Sequence, residues 1–94
     1  MSIQTFKCKH TAAVFAGVTS RRFGVAIHKA AQRKLLLLHE AEVIEDLRSP
    51  PSNHLEALKG DRLGYYSIRI NNQWRLCFRW HEGHAYDVEI VDYH

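Results

Sequence analysis

Apolar and polar positions alternate with a period of two through the last third of the chain. Three runs carry the pattern, around YYSIRIN, QWRLCFRW and AYDVEIVD. In the first, Tyr66, Ile68 and Ile70 share one face, and Ser67, Arg69 and Asn71 share the other. In the second, Trp74, Leu76, Phe78 and Trp80 alternate with Arg75, Cys77 and Arg79. In the third, Tyr86, Val88 and Ile90 alternate with Asp87, Glu89 and Val91. Successive side chains on a strand point to opposite faces, so this period predicts three strands with one apolar face each. Turns near Asn71-Asn72 and at Glu82-Gly83-His84 make the three an antiparallel meander. Its polar face presents Arg69, Arg75 and Arg79 with Asp87 and Glu89.

Upstream the period becomes helical. Residues 24–39 (GVAIHKAAQRKLLLLH) are rich in good helix formers. Ile27, Ala30, Ala31, Lys34, Leu35 and Leu38 fall on one side, with Lys34 the polar exception whose stem lies along the surface. Ala12 to Phe15 predict one or two earlier helical turns, with Thr11 before them and Gly17 as the stop. Residues 40–48 (EAEVIEDLR) predict a further helical segment, ended by Ser49-Pro50-Pro51. Residues 2–7 (SIQTFK) predict a short strand that completes a four-stranded sheet, and residues 51–63 a loop with one turn. The sum is an α+β fold. An N-terminal strand and two or three helices pack on one face of a small, mostly antiparallel four-stranded sheet, as a single domain over residues 1–94.

Composition narrows the classes without choosing among them. The 94 residues are 46% hydrophobic, which suits a folded chain. Thirteen Lys and Arg against ten Asp and Glu give a net charge of +3, which permits nucleic-acid binding without requiring it. Residues 54–94 carry five basic and six acidic side chains, so an RNA site there depends on placing a few cations together. Cys8 and Cys77 form no motif and read as reduced thiols. The first residues have no signal-peptide pattern, and the longest apolar run, Leu35 to Leu38, is far too short for a membrane span. A cytoplasmic location is the default.

Four places invite chemistry. Arg69, Arg75 and Arg79 on one sheet face suit phosphate, although cross-strand pairs with Asp87 and Glu89 on a solvated face are the simpler account. Lys59 beside Gly60 offers a point charge where backbone can approach a ligand, while Gly-Asp also simply makes a turn. His54, His81, His84 and His94 lack metal-ligand spacing, so no metal site is expected. Tyr93-His94 places two hydrogen-bonding rings directly after a strand. A histidine held near arginines suits proton transfer in phosphodiester cleavage; the plain alternative is an exposed tail. No row of aromatic side chains for stacking bases is evident in the pattern.

The string LKGDRLGYYSIRINNQWRLCFRW, followed by AYDVEIVDYH, resembles the HigB toxins of the RelE superfamily, from bacterial type II toxin–antitoxin systems. The resemblance covers nearly the whole chain and is most specific from Leu58 to His94. It implies a RelE-like fold and a ribosome-dependent endoribonuclease, an mRNA interferase that needs no metal or other cofactor. It implies a helix-turn-helix antitoxin of the HigA type as partner, the ribosome with mRNA in its A site as the second, and DNA only through the antitoxin. By the same resemblance Lys59 stabilises the charged transition state, Arg75 grips the scissile phosphate, and Tyr93 and His94 move protons and orient the nucleotide. The base is either Glu56 or His54. Arg62, Arg69 and Arg79 are auxiliary RNA contacts. The alternative is an inactive homologue that binds the antitoxin and adjusts its grip on operator DNA.

Overall fold

A computed structural model describes residues 2–19 and 22–92. Two helices, α1 (Lys9–Phe15) and α2 (Val25–Glu40), precede four strands: β1 (Glu56–Ala57), β2 (Tyr65–Arg69), β3 (Trp74–His81) and β4 (His84–Asp92). The strands form one antiparallel sheet in the order β1-β2-β3-β4. Its inner face carries the helices. Leu76 and Phe78 of β3, Ile68 of β2 and Val88 of β4 meet Leu35 and Leu38 of α2 in a core where all six are fully buried.

Both turns form for reasons visible in the residues. Asn71 Oδ1 accepts the N–H groups of Gln73 and Trp74, each at 2.8 Å, and so folds the chain between β2 and β3. Between β3 and β4, Glu82 and Gly83 have φ of 49° and 81°. Two successive positive φ values match the twist of paired strands, and the glycine takes its share without steric cost.

Local readings of the first half needed correcting. The stretch 2–7 is too short for a full ladder and makes isolated parallel bridges to β4, Ile3 with Ala85 and Phe6 with Val88. The fourth strand of the sheet is instead β1, inside the segment read as loop, on the opposite edge. Thr11 lies within α1, and its Oγ1 accepts the Ile90 N–H at 3.0 Å, so the hydroxyl serves β4 and not a helix cap. The segment 40–48 is not an α-helix. Ala41 is extended, and Asp46 Oδ2 accepts the N–H groups of Glu42 (2.9 Å) and Val43 (3.3 Å), leaving only a 3-10 turn at Ile44–Arg48. A short carboxylate that bonds nearby backbone offers the chain an alternative to the α-helix.

One departure reaches the outer face. Cys77 pairs with Glu89, but Arg79 pairs with Tyr86, so β4 takes three steps where β3 takes two. The extra residue is a β-bulge at Asp87, whose φ is 54°. Beyond it the alternation inverts: Ala85 is buried with Val88, and Tyr86 stands on the outer face, not on the apolar one.

Candidate functional site

The outer face of the sheet is not covered by helices, and a cavity of about 470 Å³ opens there, lined by Leu58, Lys59, Arg62, Cys77, Val91 and Asp92. The loop leading from β1 into β2 therefore meets the end of β4 across the sheet. Lys59 is exposed on the rim and immediately precedes the 3-10 turn Gly60–Arg62. From that turn the Arg62 guanidinium lies 3.8 Å from Glu89, and Lys7 lies 3.7 Å from the same carboxylate oxygen. Cys77 is buried in the cavity floor. Burial pushes its thiol up from the usual range, with Arg62 pulling the other way, so it stays a neutral thiol near neutral pH.

Arg75 is not a solvated side chain. It is 8% exposed. Its Nε donates to Ser67 Oγ at 2.9 Å, and one terminal nitrogen donates to the carbonyl oxygens of His54 (2.5 Å) and Ser67 (3.2 Å). The same nitrogen lies 3.2 Å from Glu56, whose side chain is half exposed. The arginine thus ties β2 and β3 to β1 and to His54, two residues before it. This explains how Glu56 and His54, the two candidate bases, come to lie around one cation. His54 contributes its carbonyl to Arg75. Its residue is exposed, with a left-handed backbone at φ 45°.

A second buried group holds the same loop from behind. Asn53 is fully buried; its amide nitrogen donates to the carbonyls of Leu47 (3.1 Å) and Ser49 (3.3 Å). Lys34 of α2 donates to Asn53 Oδ1 at 2.5 Å, so its charge is turned onto this loop and not released into water. Burial, followed by Arg33 and Arg69 nearby, lowers its pKa. A single chain of contacts therefore runs from α2 through Asn53 and its neighbour His54 to Arg75.

Beyond the cavity the outer face carries alternating cations and rings. Tyr65, Arg79 and Tyr86 stand in cross-strand register on three neighbouring strands. The Arg79 guanidinium lies 4.6 Å from the centre of the Tyr86 ring and 3.7 Å from Asp87. The Tyr65 hydroxyl donates to Asp87 at 3.2 Å, and Arg62 lies 5.8 Å from the Tyr65 ring centre. Arg69 is apart from this group, bonded to Asn72 at the β2–β3 turn.

The structure thus brings Lys59 and Arg62 together at the cavity and places Glu56, His54 and Arg75 in a second cluster linked through β1. Arg79 belongs to the aromatic group. Tyr93 and His94 lie outside the described residues. Pattern reading missed Ser67 and Asn53 as supports and Tyr65 as an outer-face ring. Lys34 on an apolar stripe was the one visible signal for Asn53. Among the described residues no group of three or more His, Cys, Asp or Glu side chains is placed to hold a metal ion. No helix among them is long and apolar enough to cross a membrane.

Comparison with known proteins gives a consistent result. The family model of the RelE-like toxin of type II toxin–antitoxin system HigB matches residues 4–94. Toxin HigB-1 of Vibrio cholerae is 47% identical over 65 residues, 69% of this chain and 68% of that protein. Endoribonuclease HigB of Proteus vulgaris is 48% identical over 40 residues, 43% of this chain and 44% of its own length. An uncharacterised Haemophilus influenzae protein is 42% identical over 64 residues, 68% of this chain and 63% of that one. Among solved structures, the YoeB dimer from Staphylococcus aureus superposes with a TM-score of 0.61, covering 100% of this chain and 97% of the other at 20% identity. That similarity concerns the fold alone.

Proposed function

Because the chain belongs to the HigB family of RelE-like toxins from type II toxin–antitoxin systems, we propose that it is an endoribonuclease that cuts mRNA on the ribosome. It works in the cytoplasm and is held in check by a HigA-type antitoxin. The observation that carries the reading is the meeting of Lys59, Arg62 and the end of β4 around one open cavity on the uncovered sheet face. The name of the Proteus vulgaris relative supports the activity.

The reaction assigned to this site needs no group from outside the RNA and the protein. The 2′-hydroxyl attacks the adjacent phosphorus while its proton passes to a base. The bond from phosphorus to the 5′-oxygen breaks, and a proton reaches that oxygen as it leaves. A 2′,3′-cyclic phosphate and a 5′-hydroxyl result. Lys59 on the rim faces the charge that builds on the phosphoryl oxygens, where a fixed cation stabilises the transition state more than the substrate. Arg75 holds Glu56 and the His54 backbone in place, and either side chain serves as base. His94, two residues after Asp92 in the sequence, supplies the proton to the leaving group, with Tyr93 orienting the nucleotide. Arg62, Arg69 and Arg79 supply further RNA contacts.

One observation favours the alternative of an inert, antitoxin-binding homologue. Arg75 Nε and one terminal nitrogen are already committed to protein acceptors, and a phosphate would have to compete with Glu56 for that nitrogen. Mapping mRNA 5′ ends after induction separates the two readings. The toxin reading expects new ends and growth arrest, with both lost in Lys59→Ala and on deletion of His94 while the protein stays folded. Loss of about two to four powers of ten in cleavage rate is expected for removing a charge-stabilising or proton-transfer group. Antitoxin binding without new ends selects the inert homologue.

A further inference from the structure

We infer that Arg62, Tyr65, Arg79 and Tyr86 form a stacking platform for bases of the RNA strand that flank the phosphate in the cavity. This rests on the reading that RNA is the substrate, and it adds a base-binding surface to a site otherwise described by charges alone.

The bulge at Asp87 creates the platform. Without it Tyr86 would face the core; with it Tyr86 stands opposite Arg79 on the outer face. Tyr65, Arg79 and Tyr86 then line up across β2, β3 and β4, at right angles to the strands, and Arg62 extends the line toward the cavity. Neighbouring strands lie about 4.8 Å apart, so the row spans roughly 10–15 Å. Arg62 belongs both to the row and to the cavity lining. Along β3, Arg79 is two residues from Cys77 in the cavity floor, roughly 6.6 Å. A strand whose phosphate sits beside Lys59 therefore has bases within reach of the row.

The chemistry of the row suits bases more than phosphates. Arg79 lies over the Tyr86 ring at 4.6 Å, while its approach to Asp87 is a looser 3.7 Å. Asp87 also accepts from the Tyr65 hydroxyl, which fixes that ring. The result is a set of partly exposed flat groups, two rings and two guanidinium planes, with Asp87 holding Tyr65 and Arg79 and Glu89 pairing with Arg62. Unstacked bases pack on such groups whatever their identity, because every base offers a π-face. A surface that bound phosphate only would need the arginines without the tyrosines.

An NMR titration of the full chain tests this, with two oligonucleotides of equal length and charge: an uncleavable 2′-O-methyl tetranucleotide and its abasic counterpart. The platform requires the Tyr65 and Tyr86 ring resonances to move with the base-bearing strand and to stay with the abasic one. Replacing both tyrosines by leucine should lower affinity for the base-bearing strand about tenfold or more, while Tyr65→Phe and Tyr86→Phe, which keep the rings, should retain most of it. Equal responses to both strands, or no response at either ring, overturn the platform; the second result leaves the row as a surface for protein. The reading of the enzyme fails separately. Base-dependent ring shifts in a chain that cuts no mRNA would remove the catalytic assignment and keep the platform. Cleavage without those shifts would do the reverse.

Discussion

The two faces of one sheet are held by different physics. The inner face is apolar surface packed on helices: Leu76, Phe78, Ile68 and Val88 have no exposure, and the Tyr66 and Phe78 rings stack at 6.2 Å. Its stability follows mainly from area removed from water, which is non-directional and tolerant of detail. The outer face is not packed by helices, although Leu58, Cys77 and Val91 give it some apolar surface. It is organised by directed contacts: Arg75 on Ser67, His54 and Glu56, Asp87 between Tyr65 and Arg79, and Glu89 between Lys7 and Arg62. One face makes the molecule fold. The other spends ordered polar groups on arranging a site, and such groups contribute little net stability even when well placed.

Substitutions can break this contrast, beginning with the largest effect. Phe78→Ala on the inner face should cost about 3–5 kcal/mol, enough to unfold much of a domain this small, as a thermal melt would show. Arg75→Met sits on the outer face but is buried. It should cost about 1–3 kcal/mol by leaving the Ser67 hydroxyl and the His54 and Ser67 carbonyls short of a donor. A loss as large as that for Phe78→Ala, read in denaturant titration, would mean that the outer face is also part of the folding core.

Asn53→Ala should cost about 1–2 kcal/mol and also free the loop before β1. Hydrogen exchange at the amides of residues 53–57 should then speed up while β3 stays protected, and a uniform loss of protection would contradict the chain of contacts from α2 to Arg75. Glu89→Gln is the smallest. Its ion pairs with Lys7 and Arg62 are long and their cations half exposed, so a change of about 0.5 kcal/mol or less is expected in the same melt. A large effect there would show that the outer charges act as a network and not as separate pairs.

The meander was legible because its period of two runs unbroken through β2 and β3, and because Asn71 and Gly83 carry turn chemistry of their own. The helix at 25–40 was legible by the same token, from its propensities and its Ile27–Leu38 stripe. The resemblance carried by the last third pointed to Lys59 and the loop around it, which the structure places on the cavity rim. What pattern could not reach was contact between distant residues. Asn53 has no periodic signature, since its value comes from Lys34 nineteen residues earlier and from the carbonyls of Leu47 and Ser49. Arg75 was placed on the correct face but with the wrong surroundings, because alternation says which side a residue takes and not how deeply the neighbouring loop covers it.

By itself, the sequence determined which residues would form the inner face of β2 and β3, since hydrophobic burial acts on each side chain according to its own polarity and the strand period does the sorting. It also determined the family, through residues 58–94. Only the tertiary structure decided where the alternation of β4 inverts. The bulge at Asp87 is a matter of register between two strands, set by what fits between Cys77–Arg79 and Tyr86–Glu89. No single residue announces it. That one inserted step takes Tyr86 from the core to the outer face, and with it the aromatic row that the linear pattern did not show.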